Sequence, residues 1–269
     1  MRPRISVIIP SFKPDNYIDA CLASLAVQTI PKESFEVIVI LNGCEEPWKT
    51  NLSQLLERFR IEHGMCGILL HSDWGNVSNA RNMGLAKAKA EYICFIDDDD
   101  YVSPTFLEKL LDKANERTIS LCHPIAFNDK DNNIASYVIT DEYLRHKPNG
   151  LQRFYKAKKY FQGPWMKLIH KDIIGNRMFD TRFTNGEDSM FMFLISDRMK
   201  WIDFTDDDAI YYRRIRAGGA HYSQSRKKRH ISAWNKFRMF TKYYFSAPWR
   251  YNFWFYITRL MACVKTAIK

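Results

Sequence analysis

Residues 91–104 read EYICFIDDDDYVSP, five apolar positions (Tyr92, Ile93, Cys94, Phe95, Ile96) running straight into four carboxylates (Asp97, Asp98, Asp99, Asp100). A short apolar run rich in β-branched and aromatic residues is the pattern of a strand buried on both faces. Four adjacent carboxylates repel one another strongly at close range, a cost that is understandable where a cation sits among them. A hard divalent ion with oxygen ligands, Mg²⁺ or Mn²⁺, offsets that repulsion and in turn holds a diphosphate. The alternative is a solvated acidic turn that leads into a helix capped by Ser103 with Pro104 in its first turn.

The surrounding sequence supplies the context. Residues 5–9 (ISVII), 36–41 (EVIVIL) and 67–71 (GILLH) repeat the buried-strand pattern. Between them lie helical periods: Ile18, Cys21, Leu22 and Leu25 share one face, Trp48, Leu52, Leu55, Leu56 and Phe59 another, and residues 77–88 are rich in helix formers. Strand and helix alternating from the first residues predict an α/β fold with a parallel sheet and crossover helices. Ligands in such sheets bind beyond the carboxyl ends of the strands. Those ends are Pro10-Ser11-Phe12, Asn42-Gly43, residues 72–74 and the four aspartates.

Composition excludes several other classes. The chain has 269 residues, 46% of them hydrophobic, which suffices for a sizeable core and rules out disorder, collagen and coiled coil. Its six cysteines are scattered singly without a C-x-x-C pair, against a zinc site or a disulfide framework. The first residues, MRPRISVIIPSF, hold too few apolar positions before Pro10 for a signal peptide or a span, so the expected compartment is the reduced cytoplasm. The net charge of +10 is unevenly placed: residues 1–208 carry 26 Lys and Arg against 30 Asp and Glu, whereas residues 209–269 carry 14 basic residues and no acid. A mildly acidic body with a basic appendage that seeks a polyanion is the natural reading.

Four pieces in order, SVIIPSFKPDNYIDACLASLAVQT, EVIVILNG, GNVSNARNMGLAKAKAEYICFIDDDDYVSP and NGEDSMFMF, resemble the inverting family 2 glycosyltransferases over residues 4–215 or so. The resemblance implies a GT-A fold: a Rossmann-like, mostly parallel sheet with flanking helices, over residues 1–225; by charge and composition residues 226–269 read as a basic, aromatic helical tail. The resemblance also implies a nucleotide-sugar donor, a UDP-sugar first, and a glycan or lipid-linked glycan acceptor. By that resemblance Asp99 ligates the Mg²⁺ or Mn²⁺ bridging the diphosphate, and Asp97 or Asp98 accepts hydrogen bonds from the ribose hydroxyls. It places the general base at Asp188 of the GED turn, with Glu187 as its neighbour or as an acceptor-binding group; the same residues also suit an ordinary acidic helix N-terminus.

The base-binding residues depart from the family pattern. Many members carry Asp-Asp at the end of the second strand, where this chain has Leu41 and Asn42. An asparagine both donates and accepts, so Asn42 still suits a base edge, although the nucleotide is left open. Pro10 and Phe12 match positions that line the base, Phe12 offering a stacking face, and both equally suit strand-end packing. Arg81 of the A-R-N triplet either faces the diphosphate or pairs with an aspartate of the acidic cluster, the latter being favoured. Residues 209–222 read as a strand and a Gly-Gly loop in which Arg213, Arg214 and Arg216 suit phosphate and His221 either completes the metal site or is a plain loop histidine.

Residues 231–269 hold 12 of the 39 aromatics, interleaved with Lys236, Arg238, Lys242, Arg250 and Arg259. This mixture suits the headgroup zone of an anionic membrane, which would put the protein peripherally at the inner face of the cell membrane. The alternative is packing of the tail on its own domain or in a homo-oligomer. Two other functions remain as expectations to weigh. A sugar-phosphate nucleotidyltransferase should show a Gly-rich phosphate loop after the first strand, where PSFKPDN stands; a nucleic-acid-binding module would use the basic tail, against which stands the acidic body carrying the sheet-edge motifs, so no nucleic acid is expected.

Overall fold

The computed structural model describes residues 2–183, 185–216 and 226–268. The first half alternates as expected: β1 (Ile5–Ser11), α1 (Tyr17–Ala26), β2 (Phe35–Asn42), α2 (Trp48–His63), β3 (Gly67–Ser72), α3 (Val77–Lys87) and β4 (Tyr92–Phe95). There follow β5 (Tyr101–Val102), α4 (Phe106–Lys113), β6 (Thr118–Leu121), β7 (His123–Asn128), β8 (Ile134–Ala135), α5 (Val138–His146), β9 (Gln152–Arg153), β10 (Lys167–His170), α6 (Lys171–Ile174), α7 (Glu187–Ile195), β11 (Trp201–Phe204), β12 (Ile210–Ile215), α8 (Arg226–Ser246) and α9 (Phe253–Ile268).

Eight strands form one sheet in the order β3-β2-β1-β4-β10-β6-β11-β9. The pairs β3-β2, β2-β1 and β1-β4 are parallel, while β10 runs antiparallel to both β4 and β6, so the sheet is mixed and parallel throughout β3-β2-β1-β4. A smaller sheet, β5-β12-β7-β8, lies beside the end of β4. The chain adds β2 and β3 on one side of β1 and then returns to place β4 on the other. That reversal between β1 and β4 opens a crevice at their carboxyl ends.

Burial explains the strand patterns. Every residue of β1 and β2 is buried because helices cover both faces. β3 differs from the expectation of full burial: five of its six residues are only half-buried, since it is the last strand and has one neighbour. Helix α3 approaches β1 so closely that a Cβ on Gly84 would fall 2.4 Å from a methyl of Ile8, which fixes glycine there by packing alone. The helix after the aspartates also starts later than Ser103 and Pro104 suggest. Its first residue is Phe106, and the Ser103 hydroxyl instead donates to the Asp208 carbonyl at 2.6 Å, tying β5 to the segment before β12.

The tail packs on the body. Phe240, Phe255, Tyr256 and Cys263 are buried in the same apolar cluster as the main sheet. Phe193 of α7 stacks on Tyr251 (4.9 Å between centroids) and meets Phe240 edge-on (5.1 Å). The buried Arg259 guanidinium donates to the carbonyls of Phe161 and Lys158, both at 3.1 Å. Such a large ring in a close-packed site makes Phe255→Ala cost about 3–5 kcal/mol in denaturant unfolding, against less than about 0.5 kcal/mol for the exposed Trp249→Ala. A small loss at Phe255 would separate α9 from the core.

Candidate active site

The crevice brings three carboxylates and one arginine together. Arg81, on α3, is buried and extends beneath the end of β4, where its guanidinium lies 2.5 Å from Asp188, 3.4 Å from Asp97 and 3.7 Å from Glu187. Burial opposes the charge of Arg81, but the three carboxylates outweigh it and hold the guanidinium protonated. Asp188 is raised above the ordinary carboxylate range by burial; Arg81 opposes that rise, and Glu187 and Asp97 add to it. The pairing with Arg81 favoured from the sequence is therefore present, and it reaches across to the GED turn as well.

That turn is built by Gly186, which has φ +83 and forms the N-cap of α7. A Cβ there would fall 2.6 Å from Cδ of Lys236, so the tail helix α8 lies directly on the turn that presents Glu187 and Asp188. One Glu187 carboxylate oxygen is buried with no hydrogen-bond partner among the described residues. A buried carboxylate oxygen left open in a crevice is a place for a ligand hydroxyl.

The acidic run divides its work. Carboxylate oxygens of Asp97, Asp99 and Asp100 lie within 4.8 Å of one another. Asp98 points the other way and accepts a hydrogen bond from the Ser11 hydroxyl at 2.6 Å, closing the gap between β1 and β4. Burial pushes Asp98 up to about 7, with Ser11 opposing; burial and the neighbouring acids also raise Asp99 and Asp100. The donor set is oxygen only, carries excess negative charge and is raised by desolvation, and these features fit Mg²⁺ or Mn²⁺.

β12 answers this charge from the opposite side. The Arg214 backbone N–H donates to Asp100 at 2.8 Å, and its side chain donates to the Asp99 carbonyl at 2.9 Å and to Asp129 at 2.8 Å. Arg216 pairs with the Asp99 carboxylate at 2.7 Å. Arg213 stacks over Tyr137 instead, 4.9 Å from its ring centre. His221 lies outside the described residues.

The other expected residues are placed at the same edge. Phe12 is 54% exposed just past β1, free to stack, whereas Pro10 is buried within the strand. Asn42 is buried, and its side-chain carbonyl accepts the Asn76 backbone N–H at 2.9 Å, so half of its bonding capacity already fixes the start of α3. The sequence does not single out two neighbours, Tyr211 and Lys167, and gives Asp100 no role of its own. Asp100 joins the carboxylate group; Tyr211 accepts the Asp97 backbone N–H at 3.2 Å; and Lys167, fully buried, donates to the carbonyls of Tyr160, Gly163 and Trp165. Lys167 opens β10, a cation placed between Met166 and the apolar Leu168 and Ile169.

Residues 6–177 match the model of the family described as glycosyl transferase family 2. The chain belongs to that family. It is 24% identical over 227 residues to glycosyltransferase GlyG of Streptococcus pneumoniae, covering 80% of this chain and 72% of that protein. Among solved structures it is similar to Staphylococcus aureus TarS residues 1–349 in complex with UDP-GlcNAc, with a TM-score of 0.68 at 18% identity, over 88% of this chain and 66% of that one. It is also similar to the mannosyltransferase PcManGT from Pyrobaculum calidifontis in complex with GDP-Man and Mn²⁺, with a TM-score of 0.60 at 16% identity, over 90% of this chain and 64% of that one. At these identities the two structures establish the GT-A fold of this family 2 chain. The chain spans 72% of the length of GlyG and about two thirds of each solved chain.

Proposed function

We propose that this family 2 chain transfers a sugar, with inversion, from a nucleotide-sugar donor to a hydroxyl of a glycan or lipid-linked glycan. A UDP-sugar is the first donor to test, since a TarS structure holds UDP-GlcNAc; PcManGT holding GDP-Man keeps the guanine donors in the panel. The observation that carries the reading is the convergence of Asp188, Glu187 and Asp97 on Arg81 at the mouth of the β1/β4 crevice, next to the Asp97, Asp99 and Asp100 group.

In this reading Phe12 stacks on the nucleobase, Pro10 backs it and Asn42 offers its amide to a base edge. Asp97 or Asp98 accepts hydrogen bonds from the ribose hydroxyls. Asp99, with Asp97 and Asp100 beside it, holds Mg²⁺ or Mn²⁺, and His221 is the remaining candidate ligand. The cation, when bound, stabilises the negative charge on the departing diphosphate. Asp188 accepts the proton of the attacking acceptor hydroxyl. Arg81 favours its ionised form, while burial and the neighbouring acids raise its pKa enough to make it a base near neutrality. Glu187 receives a hydrogen bond from the acceptor at its open oxygen. A single displacement of this kind inverts the anomeric centre.

The direct test is a panel of UDP-, GDP- and dTDP-sugars with Mg²⁺ or Mn²⁺, read by donor hydrolysis and by protection against thermal unfolding. A donor at about 100 times its Kd should stabilise the fold by about 2.7 kcal/mol. Uniform failure of all donors, with metal present, would overturn the reading.

A further inference from the structure

The charge and aromatic content of the tail becomes specific once α8 and α9 are seen packed. The elbow between them, residues 247–252, folds against the far edge of the large sheet, where β9 is the last strand. A cleft of about 360 Å³ opens there, lined by Arg153 of β9, Lys200 before β11, and Trp249, Arg250 and Asn252 of the elbow, with Tyr155 on its wall. Three cations therefore border it, and no acidic side chain does among the described residues. Asn252 also caps α9, its side chain accepting the Phe255 N–H at 2.9 Å, which turns the positive end of a 16-residue helix toward the same place.

Trp249 on this cleft, and the large apolar side chains that flank the elbow in the chain, have their faces in water. Trp249 is 82% exposed, Trp254 68% and Phe245 66%, and Phe253 is half exposed beside them. Phe253 and Trp254 touch edge to face at 5.5 Å, and Tyr244 bridges Phe245 and Phe253 at 5.3 and 6.3 Å. Phe245, Tyr244, Phe253 and Trp254 thus form one contiguous patch, and Trp249 lies within the same eleven residues of chain, quite unlike the scattered exposed apolar residues normal on a protein surface. Exposed aromatic rings next in the chain to a cationic cleft match a bilayer interface, where rings sit at headgroup depth and cations meet phosphate. Among the described residues no helix is long and apolar enough to cross a membrane, so contact would be from one side.

We propose that the α8–α9 elbow is a docking surface for an anionic phospholipid bilayer, with a headgroup phosphate seated among Arg153, Lys200 and Arg250. Trp249, Phe253, Trp254 and Phe245 enter the headgroup zone around it. The patch sits on the β9 side of the sheet, away from the β3-β2-β1 side where Phe12 and Asn42 lie. The crevice therefore stays open to water on the nucleotide side. The proposal does not depend on the sugar-transfer reading, because its measurement is lipid binding.

The experiment uses the full chain and cosedimentation with phosphatidylcholine vesicles, with or without roughly one third phosphatidylglycerol, from about 0.05 to 0.5 M salt, over which screening becomes strong. Binding is expected only with the anionic lipid, falling steeply with salt. Arg250→Glu should weaken it about 25-fold, since each cation near such a surface is worth about fivefold and the reversal counts twice. The double variant Trp249→Ser/Trp254→Ser should weaken it about tenfold or more without changing thermal unfolding, as both rings are exposed. Lys113→Glu, an exposed site on α4, makes the same change in net charge and should stay within about twofold.

Absence of binding to the anionic vesicles at low salt would overturn the proposal, as would equal losses for Lys113→Glu and Arg250→Glu, which would reduce the effect to net charge. Conversion of a dimer to a monomer by the Trp pair, with vesicle binding intact, would assign the patch to a second copy of the chain instead. Binding to an RNA or DNA oligomer that outcompetes the vesicles at equal charge would likewise reject the bilayer.

Discussion

Asp188→Asn should lower single-turnover sugar transfer by about 10²–10⁴ while leaving donor affinity within about threefold. The substitution keeps the size of the side chain and a carbonyl oxygen for Arg81, so the packing of Arg81 against Asp97 and Glu187 survives. What it removes is the lone pair strong enough to take a proton from the acceptor. The pH profile gives an independent readout. A base must be ionised to act, and burial raises Asp188 above the usual carboxylate range, so wild-type activity should rise with pH through that elevated value and fall on its acid side. The Asn variant should lose this limb and keep only a flat residual rate. NMR of the product should show the anomeric configuration opposite to that of the donor. Collapse of donor affinity with chemistry intact would make Asp188 a donor-binding group instead.

The elements that were legible in the sequence are those whose burial is decided locally. β1, β2 and β4 are covered on both faces, so their composition alone marks them, and the face Ile18, Cys21, Leu22 and Leu25 of α1 is buried as its spacing requires. β3 carries the same composition but ends the sheet, and nothing in residues 67–71 announces a missing neighbour. The long-range half of the site was legible only through the family resemblance. Arg81 and Asp188 are 107 positions apart, and their contact depends on how α7 lands against α3. Asp98 and Asp99 have identical chemistry and adjacent positions; their separation into a Ser11 partner and an Arg216 partner follows from the direction each side chain takes as the chain leaves β4. The tail read as an appendage because charge counting registers Lys and Arg, not which rings are covered. Phe240, Phe255 and Tyr256 are core, whereas Trp249 and Trp254 are surface, and both groups look alike in composition.

Asp99→Ala should abolish the dependence of donor binding on Mg²⁺ or Mn²⁺, leaving an affinity equal to that of the wild type in excess chelator. The carboxylate group explains why the effect is large. Asp98, raised to about 7, and Asp99 and Asp100, raised as well, all bind protons more tightly folded than unfolded. For such groups the unfolded chain releases its protons first as pH rises. The stability they contribute is complete below the ordinary carboxylate range and is lost as pH climbs toward 7. Metal-free protein should therefore melt at lower temperature at pH 8 than at pH 5, and Mn²⁺ should restore the melting temperature chiefly at the higher pH, where the carboxylates are charged and the cation replaces protons. In Asp99→Ala the alkaline loss should shrink, because one of the mutually repelling acids is gone, and the Mn²⁺ response should fall with it. Arg216 partners Asp99 at 2.7 Å, so Arg216→Ala should move the Mn²⁺ response in the opposite direction, strengthening it by removing a competing cation. Full transfer activity in excess chelator, or an Mn²⁺ response unchanged in Asp99→Ala, would show that these carboxylates are balanced by Arg81, Arg214 and Arg216 alone.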